Sequence, residues 1–194
     1  MTTLLYALGL DDEQILGTFY KSLPIKDSKR GWRIPFQAEK MRGTTPLADV
    51  IDAKSGEVVA VAGEKISARK ARDMAESGLK EVLISSEDLS GRYLAEDIVD
   101  MSTGRIFGEA GNELDADLLA EFKDQKIKEF PILDIDHIAI GAFIRNTLNI
   151  DKNANAQEAL MDIYRVMRPG EPPTIEAAEK LFHQMFFDSE RYDL

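Results

Sequence analysis

The sequence predicts an α+β protein with helical ends and a middle part built from two ββαβ units. Three observations support this fold class. Apolar residues recur at helical spacing near both ends of the chain. Residues 43–85 and 91–133 follow the same pattern, with a period of 48 residues and no gap. Between the first helices and this repeat, residues 21–42 change to turn formers around short apolar stretches.

The first twenty residues predict two short helices. Thr2 or Thr3 is expected to cap a helix over Leu4–Leu8, and Gly9 is placed to end it. A second helix is expected over Glu13–Tyr20, with acidic residues at its N-terminal end. Two adjacent helices could form a helix–turn–helix DNA reader, but these are short and carry no basic residue, which favours a packing role.

A strand is predicted in the segment that follows. Trp32–Phe36 has the composition of a strand, and Pro35 has no amide hydrogen for a sheet ladder, which places this strand near a sheet edge. The basic run at residues 26–30 is expected to be a solvated loop.

Both copies of the repeat predict the same order of elements. Each has two strands joined by a turn with glycine, a capped helix and a final strand. The paired elements are first strands from Val50–Ile51 and Ile98–Val99, turns at Ser55-Gly56 and Thr103-Gly104, helix caps Ser67 and Asp115, helices Ala68–Glu76 and Ala116–Asp124, and final strands Val82–Ser85 and Phe130–Leu133. Two copies are too few for an open solenoid, so they are expected to stack or swap into one body.

Paired aspartates precede each turn of the repeat. They are Asp49 and Asp52 in the first copy and Asp97 and Asp100 in the second. One interpretation is an oxygen-ligated cation, and with it an ion-dependent hydrolase, although the further ligands of an EF-hand loop are missing. Aspartate also begins turns by accepting hydrogen bonds from nearby backbone, and this structural interpretation is favoured.

The charge is acidic overall, with a formal net charge of −11, and it is unevenly spread. Residues 1–42 carry 7 basic and 5 acidic side chains, residues 43–133 carry 11 and 19, and residues 134–194 carry 6 and 11. This distribution argues against a conventional basic DNA-binding domain, because phosphate contacts need clustered Lys and Arg. Any nucleic-acid contact is therefore expected to come from a few placed arginines.

Cysteine is absent, which excludes disulfides and thiolate chemistry. The chain has no run of 18 apolar residues, and its start lacks the basic region of a signal peptide. The sequence therefore predicts neither a transmembrane helix nor a secretory leader.

Two amphipathic helices joined by a short stiff loop end the chain. The first is predicted over Ala156–Met167, with an apolar face made of Ala159, Leu160, Ile163, Tyr164 and Met167. The second is predicted over Ile175–Phe187.

Prolines determine the character of the loop between these helices. Pro169 ends the first helix at Arg168, Pro172-Pro173 stiffens the loop, and Thr174 is a natural cap for the second helix. Arg168 is expected at the base of the loop and Glu171 at its apex. The alternative interpretation is a turn that only joins two antiparallel helices.

Three segments resemble the lobe domain of the bacterial RNA polymerase β subunit family. IYRVMRPGEPPT, with LFHQMFFDSERYDL after it, resembles the gate loop and its flanking helices. LLYALGLDDEQILGTFY resembles the helices that precede it in the lobe, and DIDHIAIGAFIRNTLNID resembles the return from an inserted domain. The resemblance implies that residues 1–20 and 134–194 form one helical lobe, and that residues 21–133 are the insertion found in proteobacterial β subunits.

The resemblance also implies roles for individual residues. It assigns DNA binding to Arg168 and Arg191, which would lie near single-stranded non-template DNA. The gate loop, residues 168–174, contains Pro169, Gly170, Glu171, Pro172, Pro173 and Thr174 after the arginine at its base. No residue of this chain is expected to be catalytic or to bind a metal.

The parent enzyme implied by the resemblance is a DNA-directed RNA polymerase, a cytoplasmic and nucleoid-associated nucleotidyltransferase. Its Mg²⁺ would be bound by the β′ subunit, and this chain itself would need no cofactor. The implied partners are the β′, α, ω and σ subunits, DNA, and transcription regulators or phage factors at the insertion, with no membrane. The alternative is a protein-docking module with no DNA contact of its own.

Overall fold

The computed structural model describes residues 1–136 and 140–188, and it contains helices and antiparallel sheets, which confirms the α+β class. The chain divides into two compact units. We call the first, Met1–Phe19 with Asp136–Leu194, the helical unit, and the second, Tyr20–Ile135, the sheet unit. Within the described ranges, no helix has the length and apolar character needed to cross a membrane.

The described elements follow the chain in a simple order. They are α1 (Thr2–Ala7), α2 (Asp12–Phe19), β1 (Ser22–Ser28), β2 (Gly31–Pro35), α3 (Ala38–Met41), β3 (Val50–Ile51), β4 (Val58–Ala60), α4 (Ala68–Glu76), β5 (Glu81–Ile84), α5 (Ser86–Leu89), β6 (Ile98–Val99), β7 (Ile106–Gly108), α6 (Ala116–Asp124), β8 (Glu129–Leu133), α7 (Phe143–Ile150), α8 (Ala156–Met167) and α9 (Ile175–Phe186).

Helix-on-helix packing builds the helical unit. Helix α1 packs against α7 and α8, α2 packs against α7, and α8 packs against α9. The buried apolar side chains of these helices are Tyr6, Ala7, Ile15, Leu16, Leu148, Ala159, Leu160, Tyr164, Ala178 and Phe182. They come from all five helices in the described part of this unit, so segments from the two ends of the chain share one core.

The N-terminal end of α1 differs from the sequence prediction. Thr2 or Thr3 was expected to cap this helix, but the N-cap is Met1 and no side chain caps it. The two threonine hydroxyls instead donate hydrogen bonds to the Asp151 carboxylate at the end of α7. The prediction of Gly9 as the end of the helix is confirmed, because its φ is 90° and its amide donates to Tyr6 O at 2.8 Å.

Helix α8 has the predicted bounds, but one residue of its predicted apolar face is wrong. Met167 is 48% exposed, whereas Ala159 and Leu160 are buried. Met167 occupies the last helical position, where the chain turns away at Arg168, and about half of its surface stays uncovered. Helix α7 was not predicted, because Gly141 and Asn146 interrupt the apolar pattern. Asn146 nevertheless donates its amide to Ala142 O at 2.8 Å inside the first turn.

A four-stranded antiparallel sheet organises the sheet unit, with the strand order β5-β2-β1-β8. Strands β1 and β2 form a hairpin at its centre, in which Lys26 lies opposite Arg33. The final strand of the first repeat, β5, pairs with β2, and the final strand of the second repeat, β8, pairs with β1. The two repeats therefore do not stack on one another. Instead, each contributes one edge strand to the same sheet.

The strand containing Trp32 and Pro35 was predicted near a sheet edge, and that prediction is wrong. Strand β2 is an inner strand, paired on both sides. The sheet tolerates Pro35 because it is the last residue of the strand, where it lies opposite Glu81. The basic run at residues 26–30 is likewise not a simple loop, because Lys26 to Ser28 belong to β1.

Within the repeats, each predicted element is present, although the final strands begin one residue earlier than predicted, at Glu81 and Glu129. Helices α4 and α6 begin and end at the predicted residues, and Ser67 and Asp115 accept capping hydrogen bonds from Lys70 N and Leu118 N. The turn glycines, Gly56 and Gly104, have φ values of 80° and 72°. The pattern of caps and glycines thus determined these boundaries locally.

Two apolar clusters stabilise the sheet unit. The larger surrounds Trp32, Phe122 and Phe130, all at most 1% exposed, and Trp32 meets Phe130 edge-on with ring centroids 5.1 Å apart. The smaller lies in the first repeat around Ile66 and Met74.

The two ends of the sheet unit meet. Ser22 at the start of β1 lies opposite Leu133 at the end of β8, and Asp134 N donates to Lys21 O at 2.8 Å. The chain therefore enters and leaves this unit at neighbouring positions.

Candidate nucleic-acid interface

The loop between α8 and α9 is a tight turn fixed by its own residues. Arg168 N donates to Tyr164 O at 2.8 Å and closes the helix, and Pro169 prevents its continuation. Glu171 N then donates to Arg168 O at 3.3 Å, and Gly170 has a φ of 94°. Proline followed by a glycine with positive φ is the arrangement of a type II turn.

Both helices that carry this turn are anchored. Asn155 caps α8 by accepting from Glu158 N at 2.9 Å, and Thr174 caps α9 by accepting from Ala177 N at 3.3 Å. The helices pack on each other, and Tyr164 and Leu160 of α8 and Ala178 and Phe182 of α9 are buried. The turn is thus held at the end of a packed helix pair.

Arg168 provides an available positive charge at the base of this turn. Its side chain is exposed, and no described carboxylate lies within 4.0 Å of it. Arg165, one turn earlier in α8, differs because it forms an ion pair with Asp162 at 3.5 Å. A cation that is already paired has less charge to offer another anion, so the charge of Arg168 is the more available of the two.

Glu171 is held back against α8, although it was predicted at the apex. The Tyr164 hydroxyl donates a hydrogen bond to Glu171 Oε2 at 2.8 Å. This bond to a carboxylate raises the pKa of Tyr164, and burial adds to the shift. The sequence had indicated Tyr164 only as an apolar-face residue, so its second role was missed. A tyrosine one turn before a proline-glycine turn with a following carboxylate is the signal that could have indicated it.

The other predicted site residues fall into two groups. Pro169, Gly170, Pro172 and Thr174 are exposed and Pro173 is half-buried. Arg191 lies outside the described residues, so its predicted role stays a prediction. Acidic residues are frequent in this part of the sequence: Asp162, Glu171 and Glu176 are all within nine residues of Arg168. A phosphate contact at Arg168 is therefore expected to be weak and sensitive to salt.

One aspartate of each pair, Asp52 and Asp100, begins its turn as the favoured interpretation predicted, whereas Asp49 and Asp97 bond backbone further along the chain. Asp52 and Asp100 accept from the backbone amides two residues later at 2.9 and 2.8 Å. Asp49 and Asp97 accept from amides thirteen residues later at 2.8 and 2.7 Å. Hydrogen bonds from Ser102 and Thr103 lower the pKa of Asp100 to about 2. Among residues 1–136 and 140–188, no group of three or more acidic or histidine side chains is arranged to hold a metal ion.

Comparison with known proteins finds relatives from several bacteria that share one description. No family model matches the chain. Its whole length is 60% identical to the DNA-directed RNA polymerase subunit beta of Methylobacterium radiotolerans, 59% identical to that of Brucella canis and 54% identical to that of Caulobacter vibrioides. Each identity extends over 193 residues, and the chain spans 14% of the length of these relatives.

Identity of this level over the whole chain includes the helical ends, the repeat and the turn after α8. The resemblance to the β subunit, noted in short motifs of the sequence, therefore extends over the whole chain. The chain belongs to the family of bacterial DNA-directed RNA polymerase β subunits, of which it represents one segment.

Proposed function

We propose that this chain is the lobe of a polymerase β subunit together with its insertion, and that it contributes a DNA-facing arginine and a protein-docking body. In this proposal the helical unit is the lobe, residues 1–20 and 134–194. The sheet unit is the insertion, residues 21–133. The boundaries of the two compact units, at Phe19/Tyr20 and Ile135/Asp136, lie within two residues of this division and support it.

The observation that carries the DNA role is the state of Arg168. It is exposed and without an ion-pair partner among the described residues, on a turn fixed by Gly170 and the Tyr164–Glu171 hydrogen bond. A cation on a fixed turn loses little conformational freedom when it contacts a phosphate. Such a contact positions a strand without reading its sequence. Arg191 is proposed as a second cation for the same strand.

In the assembled enzyme, the chain would act without catalytic residues of its own. We assign RNA synthesis, a nucleotidyl transfer, to the whole polymerase, with Mg²⁺ bound by the β′ subunit. The β′, α, ω and σ subunits would be its partners in a cytoplasmic, nucleoid-associated complex. This chain would line the downstream DNA channel with its gate loop, residues 168–174.

A salt titration tests the DNA role. The chain is titrated against a fluorescent single-stranded oligonucleotide, and the dissociation constant is measured by anisotropy at several low salt concentrations. Because each phosphate contact to a single strand contributes about 0.7 to the slope of log K against log salt, Arg168→Ala should reduce the slope by about that amount. Arg191→Ala should act similarly, and the double variant should show about twice the loss.

Arg165→Ala is the matched control. It removes the same side chain one helical turn away, but Asp162 already pairs with that charge. Its slope should therefore change less than that of Arg168→Ala. Equal effects of the two substitutions would indicate general charge attraction and contradict a placed contact, as would an unchanged affinity in the Arg168/Arg191 double variant.

The alternative function is a protein-docking module with no DNA contact. The acidic character of residues 43–133, with 19 acidic and 11 basic side chains, favours it for the sheet unit. Deleting residues 21–133 from the polymerase subunit should then leave basal transcription intact and abolish the response to a protein regulator. Loss of basal transcription would instead place this unit in the DNA channel.

A further inference from the structure

In each repeat, residues of an earlier segment pair with the outer edge of the final strand, but at different positions along that strand. In the first repeat, the beginning of β5 is covered: Asp52 lies opposite Val82, and Ala53 N donates to Glu81 O at 3.1 Å. These bonds join the first hairpin of the repeat to its final strand. The edge of the sheet is therefore closed at this point.

In the second repeat, the corresponding positions of the first hairpin do not pair with the final strand. Among the described residues, Asp100 and Met101 make no such pairing with Glu129 and Phe130, their counterparts along β8. Cover for β8 lies further along the strand, where Ala95 N donates to Pro131 O at 3.0 Å. The beginning of β8 is thus left open at the sheet edge.

A groove of about 580 Å³ occupies this opening between β6 and β8. Apolar side chains that line it include Ile98, Val99, Phe107 and Ile127. Met101 also lines it and is 94% exposed. Its counterpart in the first repeat is Ala53, which lies in the closed edge.

Carboxylates accompany the apolar lining, and no Lys or Arg lines the groove. The acidic residues are Glu96, Asp97, Asp100 and Glu129. Only Glu129 has an ion-pair partner among the described residues, Lys26 at 3.4 Å, and both of these side chains are partly exposed. Asp100 stays ionised at any physiological pH, since hydrogen bonds from Ser102 and Thr103 keep its pKa near 2.

We propose that this groove binds an extended segment of a protein partner in which apolar and basic residues alternate. An extended chain laid along the open beginning of β8 would place alternate side chains on opposite sides. One set would enter the apolar lining beside Met101, and the basic set would meet the carboxylates. The proposal rests on the proposed docking role of the sheet unit and names the chemistry of its partner.

The charge of the groove decides between possible occupants. A nucleic-acid strand is repelled by four carboxylates with no cation among the lining residues. A second copy of this acidic chain would also bring a net charge of −11 toward the groove. A basic segment is attracted, and its long aliphatic stems can cover exposed apolar surface.

The test uses the chain labelled with ¹⁵N and the peptide KVKLKVKLK as the probe. Amide shifts should change around Val99–Ser102 and at Glu129 and Phe130, and the dissociation constant is taken from the titration. Met101→Ala should weaken binding about tenfold, since it removes most of an exposed apolar side chain that the bound peptide would bury. Glu96→Lys should weaken it about fivefold, by an amount that falls as salt is added.

Two variants control for nonspecific effects. Leu47→Ala removes a side chain that is 99% exposed, and Glu76→Lys makes the same charge change in the first repeat. Neither residue lines the groove, so both variants should bind as the unaltered chain does. The peptides EVELEVELE and KSKSKSKSK should bind at least about tenfold more weakly, because one reverses the charge and the other lacks the apolar anchors.

Several results would overturn the proposal. These are no binding of KVKLKVKLK, shift changes confined to other surfaces, equal binding of the acidic peptide, or equal losses in the control variants. Shift changes at the groove that depend on chain concentration without peptide, and that Met101→Ala abolishes, would identify a second copy as the occupant. The assay contains neither DNA nor other subunits, so its failure is distinct from failure of the Arg168 test.

Discussion

Two glycine substitutions in the helical unit should have opposite effects on stability. Gly170 has a φ of 94°, and a Cβ at this position would meet no atom within 4 Å. The cost of Gly170→Ala is therefore the backbone alone, about 1–2 kcal/mol. Gly17 lies inside α2 with equally free space and no positive φ. Gly17→Ala should stabilise by about 0.5–1 kcal/mol, because glycine is a poor helix former.

Urea denaturation followed by far-ultraviolet circular dichroism measures both effects. With a denaturant slope of about 2 kcal/mol per molar urea, Gly170→Ala should lower the midpoint by about 0.5–1 M and Gly17→Ala should raise it by roughly 0.25–0.5 M. Fluorescence of Trp32, the chain's single tryptophan, follows the sheet unit in the same samples. A Gly170→Ala chain as stable as the unaltered one, or a less stable Gly17→Ala chain, would refute the reasoning from backbone conformation.

Three further predictions concern side chains that hold each unit together. Asp151→Ala should cost about 1 kcal/mol at neutral pH, since two threonine hydroxyls donate to this carboxylate. Burial alone would raise the pKa of Asp151, but its hydrogen bonds outweigh burial and lower it. The stability that this carboxylate contributes is thus present above its unfolded pKa of about 3.9 and is lost as the pH falls through its folded pKa. Denaturation curves of the variant and the unaltered chain should therefore converge in acid. A difference that stays constant with pH would contradict this. Phe130→Ala should destabilise the chain by about 3–5 kcal/mol, because the side chain is 0% exposed and its loss leaves a cavity. The urea midpoint reported by Trp32 fluorescence should fall accordingly. An unchanged midpoint would show that neighbouring side chains repack into the space. Ser67→Ala and Asp115→Ala should each cost about 1 kcal/mol in the same assay, and a much larger loss for either would mean that its hydroxyl or carboxylate does more than cap a helix.

Features that depend on a few neighbouring residues could be predicted from the sequence. Helices α4, α6 and α8 begin after Ser67, Asp115 and Asn155, whose side chains accept the capping bonds. Capping uses residues three positions apart, so a single sequence contains the necessary information. The position of Arg168 at the end of α8 follows from Pro169 for the same reason.

Features that depend on distant pairing could not be predicted in this way. The place of β2 inside the sheet follows from its pairing with β5, which begins at Glu81 far along the chain. Pro35 led to the prediction of an edge strand because proline has no amide hydrogen to donate to a neighbouring strand. The sequence alone does not show whether the sheet requires a hydrogen bond at that position. The Tyr164–Glu171 hydrogen bond and the exposure of Met167 depend on how the turn folds back, which residue types alone do not specify.

The hydrogen bond from Asp134 N to Lys21 O has a consequence for how such a chain evolves. Neighbouring strands lie about 5 Å apart, so the two ends of the sheet unit are separated by roughly the span of two residues. A gene segment encoding this unit could enter or leave a helical host with little displacement of the flanking chain. Because the central hairpin and both repeats belong to the same sheet, the unit would have to be gained or lost whole.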